Sequence, residues 1–282
     1  MTEIDLTPLV DSFSEFFSLA YKEKINQLLL VYPDKKSIEV DYADLEKFDL
    51  DTADKLLKEP DNTISASRQA IESMNLLTAT GEPFKPHVRF YNVPGAELLI
   101  ENIGSKNLNT LTSFKGVVTR RADVMHKIKV AMFGCEVCDS RFKFIVEKNF
   151  KPPKRCPSCK KLSLLALVEE SSFADVQRAE VQELLERVRG GTPAAKIELW
   201  LEDDLVNSLV PGDNIEVSGI LRLKPPLKQR SKQELVYGRF IDVVHLKSLK
   251  RDFEEIEITP EDERRILELS TRPDIEKILT SS

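Results

Sequence analysis

No run of about 18 apolar residues occurs in this chain of 282 residues, so a membrane-spanning helix is not encoded. The opening MTEIDLTPLV is acidic and lacks the basic-then-apolar order of a secretory signal peptide, which points to an intracellular protein with no membrane partner. A phosphate loop of the form Gly-x4-Gly-Lys-Ser/Thr is also missing. Gly190-Gly191-Thr192-Pro193 has no lysine and reads as a plain loop, so the chain is not expected to hydrolyse ATP. Histidine is scarce: His87, His126 and His245 lie far apart without triad-like or metal-like neighbours, and each reads as structural or surface. Asp203 and Asp204, adjacent in WLEDDLV, would face opposite sides of a strand, which favours a turn or barrel-edge role over a shared metal. Aromatic residues make up only 7% of the chain. The candidates for base stacking are Phe133, Phe142, Phe144, Trp200, Tyr237 and Phe240, and most alternate as core residues do, so contact with a nucleic-acid backbone is favoured over stacking.

Cysteine is limited to four residues, all within 25 positions. In a chain read as intracellular, such a cluster points to metal ligation and away from disulfides. The pattern is Cys135-x2-Cys138, seventeen residues, then Cys156-x2-Cys159, the spacing of two turns closing one tetrahedral zinc site. Gly134 and Pro157 sit where tight turns are expected, and Lys154, Arg155, Lys160 and Lys161 offset the thiolate charge. Four thiolates leave no open position for water, so the expected Zn2+ is structural and not catalytic. A redox role is disfavoured because no thioredoxin-like βαβ pattern surrounds the motifs.

The length predicts two or three domains, and charge is strongly segregated among them. Residues 1–62 carry fifteen acidic against seven basic side chains, and residues 252–282 carry ten against four. Residues 222–251 reverse the sign, with nine basic against two acidic. The first stretch is helical in pattern: Val10, Phe13, Phe16, Phe17 and Ala20 recur at helical spacing, and 41–57 and 65–77 repeat it. Asp61, Asn62 and Thr63 provide capping chemistry for a helix around 64–78, which GEPFKP closes. From Val88 the texture is of strands: VRFYNV, FKGVVTRR, KIKVAMF, KIELWL, NIEVSGILRL and ELVYGRFIDVVHL.

The fold class expected is α+β, mainly β: an acidic helical bundle subdomain, a five-stranded OB-fold barrel with an inserted zinc-ribbon subdomain, and a long β-hairpin. The divisions are 1–92 for the helical part, 93–133 with 169–250 for the barrel, and 134–168 for the zinc module. Residues 251–282 read as a charged helical linker. In GILRLKPPLKQRSKQELVYGRF, basic residues flank a Pro-containing tip within a hairpin of about 220–240. Lys224, Lys228, Arg230 and Lys232 there can meet a phosphate backbone, with affinity that falls as salt rises. Arg120 and Arg121 end one strand, and Lys127 and Lys129 share a face of the next; one reading is a groove for single-stranded DNA, but for the two lysines the residues by themselves favour the polar face of a half-buried strand.

The order FKGVVTRR, CxxC…CxxC, SSFADVQRAEVQE and LEDDLVNSLVPGDNIEVSGILRL resembles the amino-terminal region of archaeal minichromosome maintenance (MCM) replicative helicases over nearly the whole chain. Asp203-Asp204-Leu205-Val206 with Pro211-Gly212-Asp213 is the most specific part. The resemblance implies a DNA-binding, ring-forming collar within a homohexamer, or a double hexamer joined head to head through its zinc modules. It places Lys224, Lys228, Arg230 and Lys232 in the ring's channel, and Arg120, Arg121, Lys127 and Lys129 against single-stranded DNA. The closing ITPEDERRILELSTRPDIEKILTSS is similar to the linker into an AAA+ ATPase, where ATP and Mg2+ would bind and drive a helicase. Double-stranded DNA, other replication factors and an archaeal cytoplasm or nucleoid follow from the same resemblance. The rival expectation is a stand-alone OB-fold and zinc-ribbon protein for single-stranded DNA that stacks bases on Phe142, Trp200 and Tyr237. A metal-dependent enzyme built on Asp203 or Asp204 is a third.

Overall fold

The computed structural model describes residues 6–146, 150–184, 186, 193–224, 236–249, 264, 265 and 267. Residues Met1–Leu249 form one compact unit; the second, Lys250–Ser282, is described only at Arg264, Arg265 and Leu267, which are helical. The rest of the expected linker at 251–282, and Lys228, Arg230 and Lys232 of the expected hairpin, lie outside the described residues.

Helix α1 (Thr7–Ala20) turns Phe13, Phe16 and Phe17 to one side, all fully buried, because residues three and four apart share a helix face. Tyr21, just past its end, joins them with its ring 5.1 Å from Phe16, while Ala20 stays exposed. After α2 (Lys22–Val31) comes a short strand that sequence patterning does not announce, β1 (Ser37–Asp41). The helical run expected over 41–57 is two helices, α3 (Tyr42–Phe48) and α4 (Leu50–Lys58). Asp41 caps α3 at Ala43 N, and Asp49, in an extended conformation, caps α4 at Asp51 N. Helix α5 (Pro60–Ser73) begins before Asp61-Asn62-Thr63 and has no side-chain cap. Proline in the first turn loses no hydrogen bond, so the helix starts there and not at about 64.

Strand β2 (His87–Tyr91), at the end of the stretch assigned to the helical part, pairs in parallel with β1, from Ser37↔His87 to Asp41↔Tyr91, and completes the helical layer.

The remaining strands are β3 (Leu111–Arg121), β4 (Met125–Cys135), β5 (Arg141–Ile145), β6 (Leu164–Ala166), β7 (Ser172–Gln182), β8 (Lys196–Glu202), β9 (Asn214–Lys224) and β10 (Gly238–Ser248). Five of them close on themselves in the cyclic order β3-β7-β8-β10-β9, antiparallel throughout except the parallel β8–β10 pair. This is the OB-type barrel, with one member different from the expectation. KIKVAMF lies in β4, outside the ring, and SSFADVQRAEVQ supplies the wall as β7. The buried side of β7 is Ala174, Gln177, Ala179 and Val181, too small and polar to stand out as a strand. Beyond the ring, β4 pairs with β7, β5 and β6, forming the stalk and sheet of the cysteine module.

Closure demands close backbone approach at two glycines. A Cβ on Gly116 would stand 2.5 Å from Val181 Cγ1, and one on Gly219 would meet Ile241 Cγ2 and lie 2.9 Å from Asp242 O. Phe114, Val118, Val181, Leu199 and Ile241 fill the barrel interior. Leu111, Ile220 and Val244 instead join the phenylalanine core of the helical layer, so that layer is seated on the outer face of β3, β9 and β10. Consecutive valines serve both cores, because neighbouring strand residues face opposite sides: Val243 lies inside the barrel and Val244 under the helices.

Candidate metal centre and nucleic-acid interface

The cysteine module is built from one turn used twice. Cys135 N donates to Ser140 O at 3.0 Å and Asp139 N to Cys135 O at 2.9 Å; Cys156 N donates to Lys161 O and Lys160 N to Cys156 O, both at 2.9 Å. The fourth residue after each leading cysteine takes the left-handed conformation, Asp139 at φ 51° and Lys160 at φ 57°. Gly134, expected to serve the turn, lies in β4, where a Cβ would press to 3.2 Å from Leu167 Cδ1.

The four Sγ atoms lie within 4.8 Å of one another, with Cys135–Cys159 at 3.5 Å and Cys138–Cys156 at 3.6 Å. Tetrahedral ligation at about 2.3 Å requires sulfur separations of about 3.8 Å, so the set is gathered closely enough for a tetrathiolate cation site. The Ser163 hydroxyl, 3.0 Å from Cys135 Sγ, holds that thiol down to about 6. Ser140 lowers Cys138, whereas burial pushes Cys156 up to about 11. All four cysteines bind a cation as thiolates, so loading the site releases the protons that they carry.

The basic residues named from sequence divide into separate places. Lys127 Nζ lies 3.0 Å from Glu202 Oε2, Lys129 Nζ 3.0 Å from Asp203 Oδ2, and Lys224 Nζ 3.0 Å from Glu198 Oε2. Arg121 donates to Leu209 O at 3.0 Å, and Arg120 is exposed near the end of β3. Arg121 is opposite Ala179 of β7 and Lys127 opposite Ala174, about 17 Å apart along the strand. The structure thus joins Lys127 to Lys129 and holds the two arginines away from them. An exposed pair such as Lys127–Glu202 contributes about 0–1 kcal/mol, little enough for a phosphate to displace the carboxylate, whereas Lys129 and Lys224 are in part-buried pairs.

Among the aromatic candidates, Trp200 stacks on Phe240 at 4.3 Å with Arg178 4.7 Å from its ring centroid. Phe144 packs edge-on against Phe133 at 5.6 Å.

An ionic seam unforeseen from sequence joins the helical layer to the barrel rim. Asp203, left-handed at φ 60° in the turn after β8, accepts from Lys129, Lys36 and His87 at 3.0–3.1 Å. Burial alone would raise its pKa; the bonds from Lys129, Lys36 and His87 outweigh that and hold it far below the carboxylate range. Asp204 is also pushed up by burial and drawn lower by Arg89, whose guanidinium it grips and which also donates to Val244 O at 2.8 Å. Burial lowers His87 and His245 below the ordinary histidine value. The carboxylates considered as an enzyme's metal ligands are thus each tied to cations. The sequence signal for this seam was an arginine inside the apolar strand HVRFY.

Residues 10–92 match the family model of the MCM N-terminal domain, and 99–225 that of the MCM OB domain. The chain carries the amino-terminal and OB domains of the MCM family. An MCM protein of Saccharolobus solfataricus is 26% identical over 272 residues, covering 93% of this chain and 39% of that protein. The DNA replication licensing factor MCM4 of Arabidopsis thaliana is 29% identical over 274 residues, covering 87% and 32%. The crystal structure of the N-terminal domain of an archaeal MCM superposes with a TM-score of 0.71 at 26% identity, covering 86% of this chain and 99% of that one. The chain therefore corresponds to the amino-terminal region of MCM and spans 39% and 32% of those two relatives' lengths.

Proposed function

We propose that this MCM amino-terminal region is the DNA-binding and hexamer-forming collar of an MCM helicase whose ATPase motor lies outside the chain. The observation that carries the reading is the exit of β9 and β10 from the closed barrel. They stay paired to Lys224↔Gly238, and the segment joining those ends holds Lys228, Arg230 and Lys232. Those residues with Lys224 contact DNA in the ring's channel, and Arg120, Arg121, Lys127 and Lys129 contact a single strand on the barrel. The cysteine cluster holds one structural Zn2+, the borderline-soft ion suited to four closed thiolates, in the module at 134–168. That module serves ring-to-ring assembly, and 251–282 leads to the motor.

Light scattering across salt, with and without DNA, tests the reading on the wild type and on the triple variant K228A/R230A/K232A. Rings from both proteins, with DNA lost only by the variant, are the expected result. A wild type that stays monomeric at every concentration and binds no DNA at low salt removes the proposal. The stand-alone reading needs free aromatic platforms; Trp200 is already stacked, which leaves Phe142 and Tyr237 for it. Binding abolished by alanine at those residues, in a monomer, would establish it instead.

A further inference from the structure

A cleft of about 310 Å³ opens where α5 and β2 face β4 and β10. Its cationic wall is Arg68 on α5, Arg89 on β2, and Lys127 and Lys129 on β4. Three carboxylates, Asp61, Glu202 and Asp242, also line it, and each has a cation nearby. Glu202 holds Lys127 at 3.0 Å, while Asp61 and Asp242 approach Arg222 at 2.5 and 3.8 Å. Arg89 is committed to Asp204 and Val244 O. Arg68 is different: among the described residues it has no hydrogen bond and no ion pair. Its side chain is open to solvent along the cleft yet hemmed in by protein, and that enclosure, followed by the Arg89 guanidinium, lowers its pKa. A guanidinium in this state has a planar fork of N–H donors that face solvent and have no protein acceptor.

We propose that this cleft is a phosphate-binding site, with Arg68 as its principal donor and Lys127 and Lys129 closing on the anion from β4. Arginine meets phosphate through two parallel hydrogen bonds, and Lys127 gives up an exposed carboxylate partner at small cost, while Lys129, paired to the part-buried Asp203, adds charge from the same strand. Because Arg68 belongs to the helical layer and the lysines to the stalk of the cysteine module, the bound anion bridges the two. The phosphate comes either from a free nucleotide or from a DNA strand. The site shares Lys127 and Lys129 with the single-strand contacts proposed above, adds Arg68 to them, and does not depend on the channel-facing residues.

The test titrates the whole chain with inorganic pyrophosphate at low ionic strength, read by calorimetry and by the rise in Tm. Wild type is expected to bind and to be stabilised, and Arg68→Ala to bind about tenfold or more weakly, the loss expected for a hydrogen bond to a charged group. Arg68→Lys, which keeps the charge but not the fork, should fall between them. Lys127→Ala, measured alongside, provides a second loss of affinity should Arg68→Ala fold poorly by circular dichroism. Competition by ADP alone assigns the phosphate to a nucleotide; competition by an unphosphorylated oligothymidylate assigns it to a strand backbone. No Tm rise with wild type, or equal affinity in wild type, Arg68→Ala and Lys127→Ala, overturns the site. In the triple variant K228A/R230A/K232A pyrophosphate binding should persist. Loss of oligonucleotide binding there with pyrophosphate retained upholds both proposals, and its retention with Arg68-dependent pyrophosphate binding removes only the channel contacts.

Discussion

At the scale of single residues, the seam between the helical layer and the barrel dominates. Arg89 is 7% exposed and holds Asp204 in a half-buried pair, so Arg89→Ala leaves that carboxylate without its partner. The expected cost is about 3 kcal/mol of stability, measured as a lower urea midpoint at neutral pH. Protonation probes the same seam. His87 and His245 have lowered pKa values, so the unfolded chain takes up protons near pH 6.5 where the folded chain does not. Stability therefore declines as pH falls from about 6.5 toward their folded values. Asp203 and Asp204 are lowered as well; their stabilisation is present above the unfolded value of about 3.9 and is lost as pH drops through the folded ones. Urea midpoints between pH 7.5 and 3 should show two successive declines. A midpoint unchanged from pH 7.5 to 5 would contradict the histidine part.

At the scale of elements, closure of the barrel and folding of the cysteine module are separable. Gly219→Ala puts a methyl group against Ile241 and Asp242 O where β9 crosses β10, and overpacking of this kind costs about 1–3 kcal/mol. Thermal unfolding measures it, and an unchanged Tm would mean the strands shift freely. The cysteine module has its own linkage: folded metal-bound thiolates are stabilised relative to free ones, so metal removal should act locally. Elemental analysis should find one zinc per chain, lost in Cys156→Ser. Amide exchange should then rise through β5, β6 and the 156–159 turn while β8, β9 and β10, which pack the barrel interior, keep their protection. Equal loss of protection in the barrel would make the metal a part of the main core.

At the scale of the whole molecule, acidic ends and a basic middle stretch make DNA binding a property of one segment and not of net charge, which is −6. Three lysine and arginine contacts removed in K228A/R230A/K232A should flatten the log–log salt dependence of single-strand binding by about two units. A slope that does not change assigns the phosphate contacts elsewhere, with Lys127, Lys129, Arg120 and Arg121 as the next to substitute.

Sequence alone determined what depends on local order and spacing. The Phe13, Phe16 and Phe17 stripe, the CxxC pairs and the segregation of charge each act within a few residues, so they predict α1, the tetrathiolate cluster and the basic segment directly. The MCM relationship was legible for the same reason, since its motifs keep their order along the chain. Long-range pairing was not legible. β1 and β2 are separated by forty-five intervening residues from Asp41 to His87, and nothing local marks VRFY as the partner of SIEV. Replacement of KIKVAMF by SSFADVQRAEVQ in the wall follows from barrel closure, which decides membership by register and not by hydrophobicity. The Asp203 seam and the Arg68 cleft exist only because α5, β2, β4 and the turn after β8 converge. A carboxylate's partners are chosen by distance in space, and only the tertiary structure sets that distance.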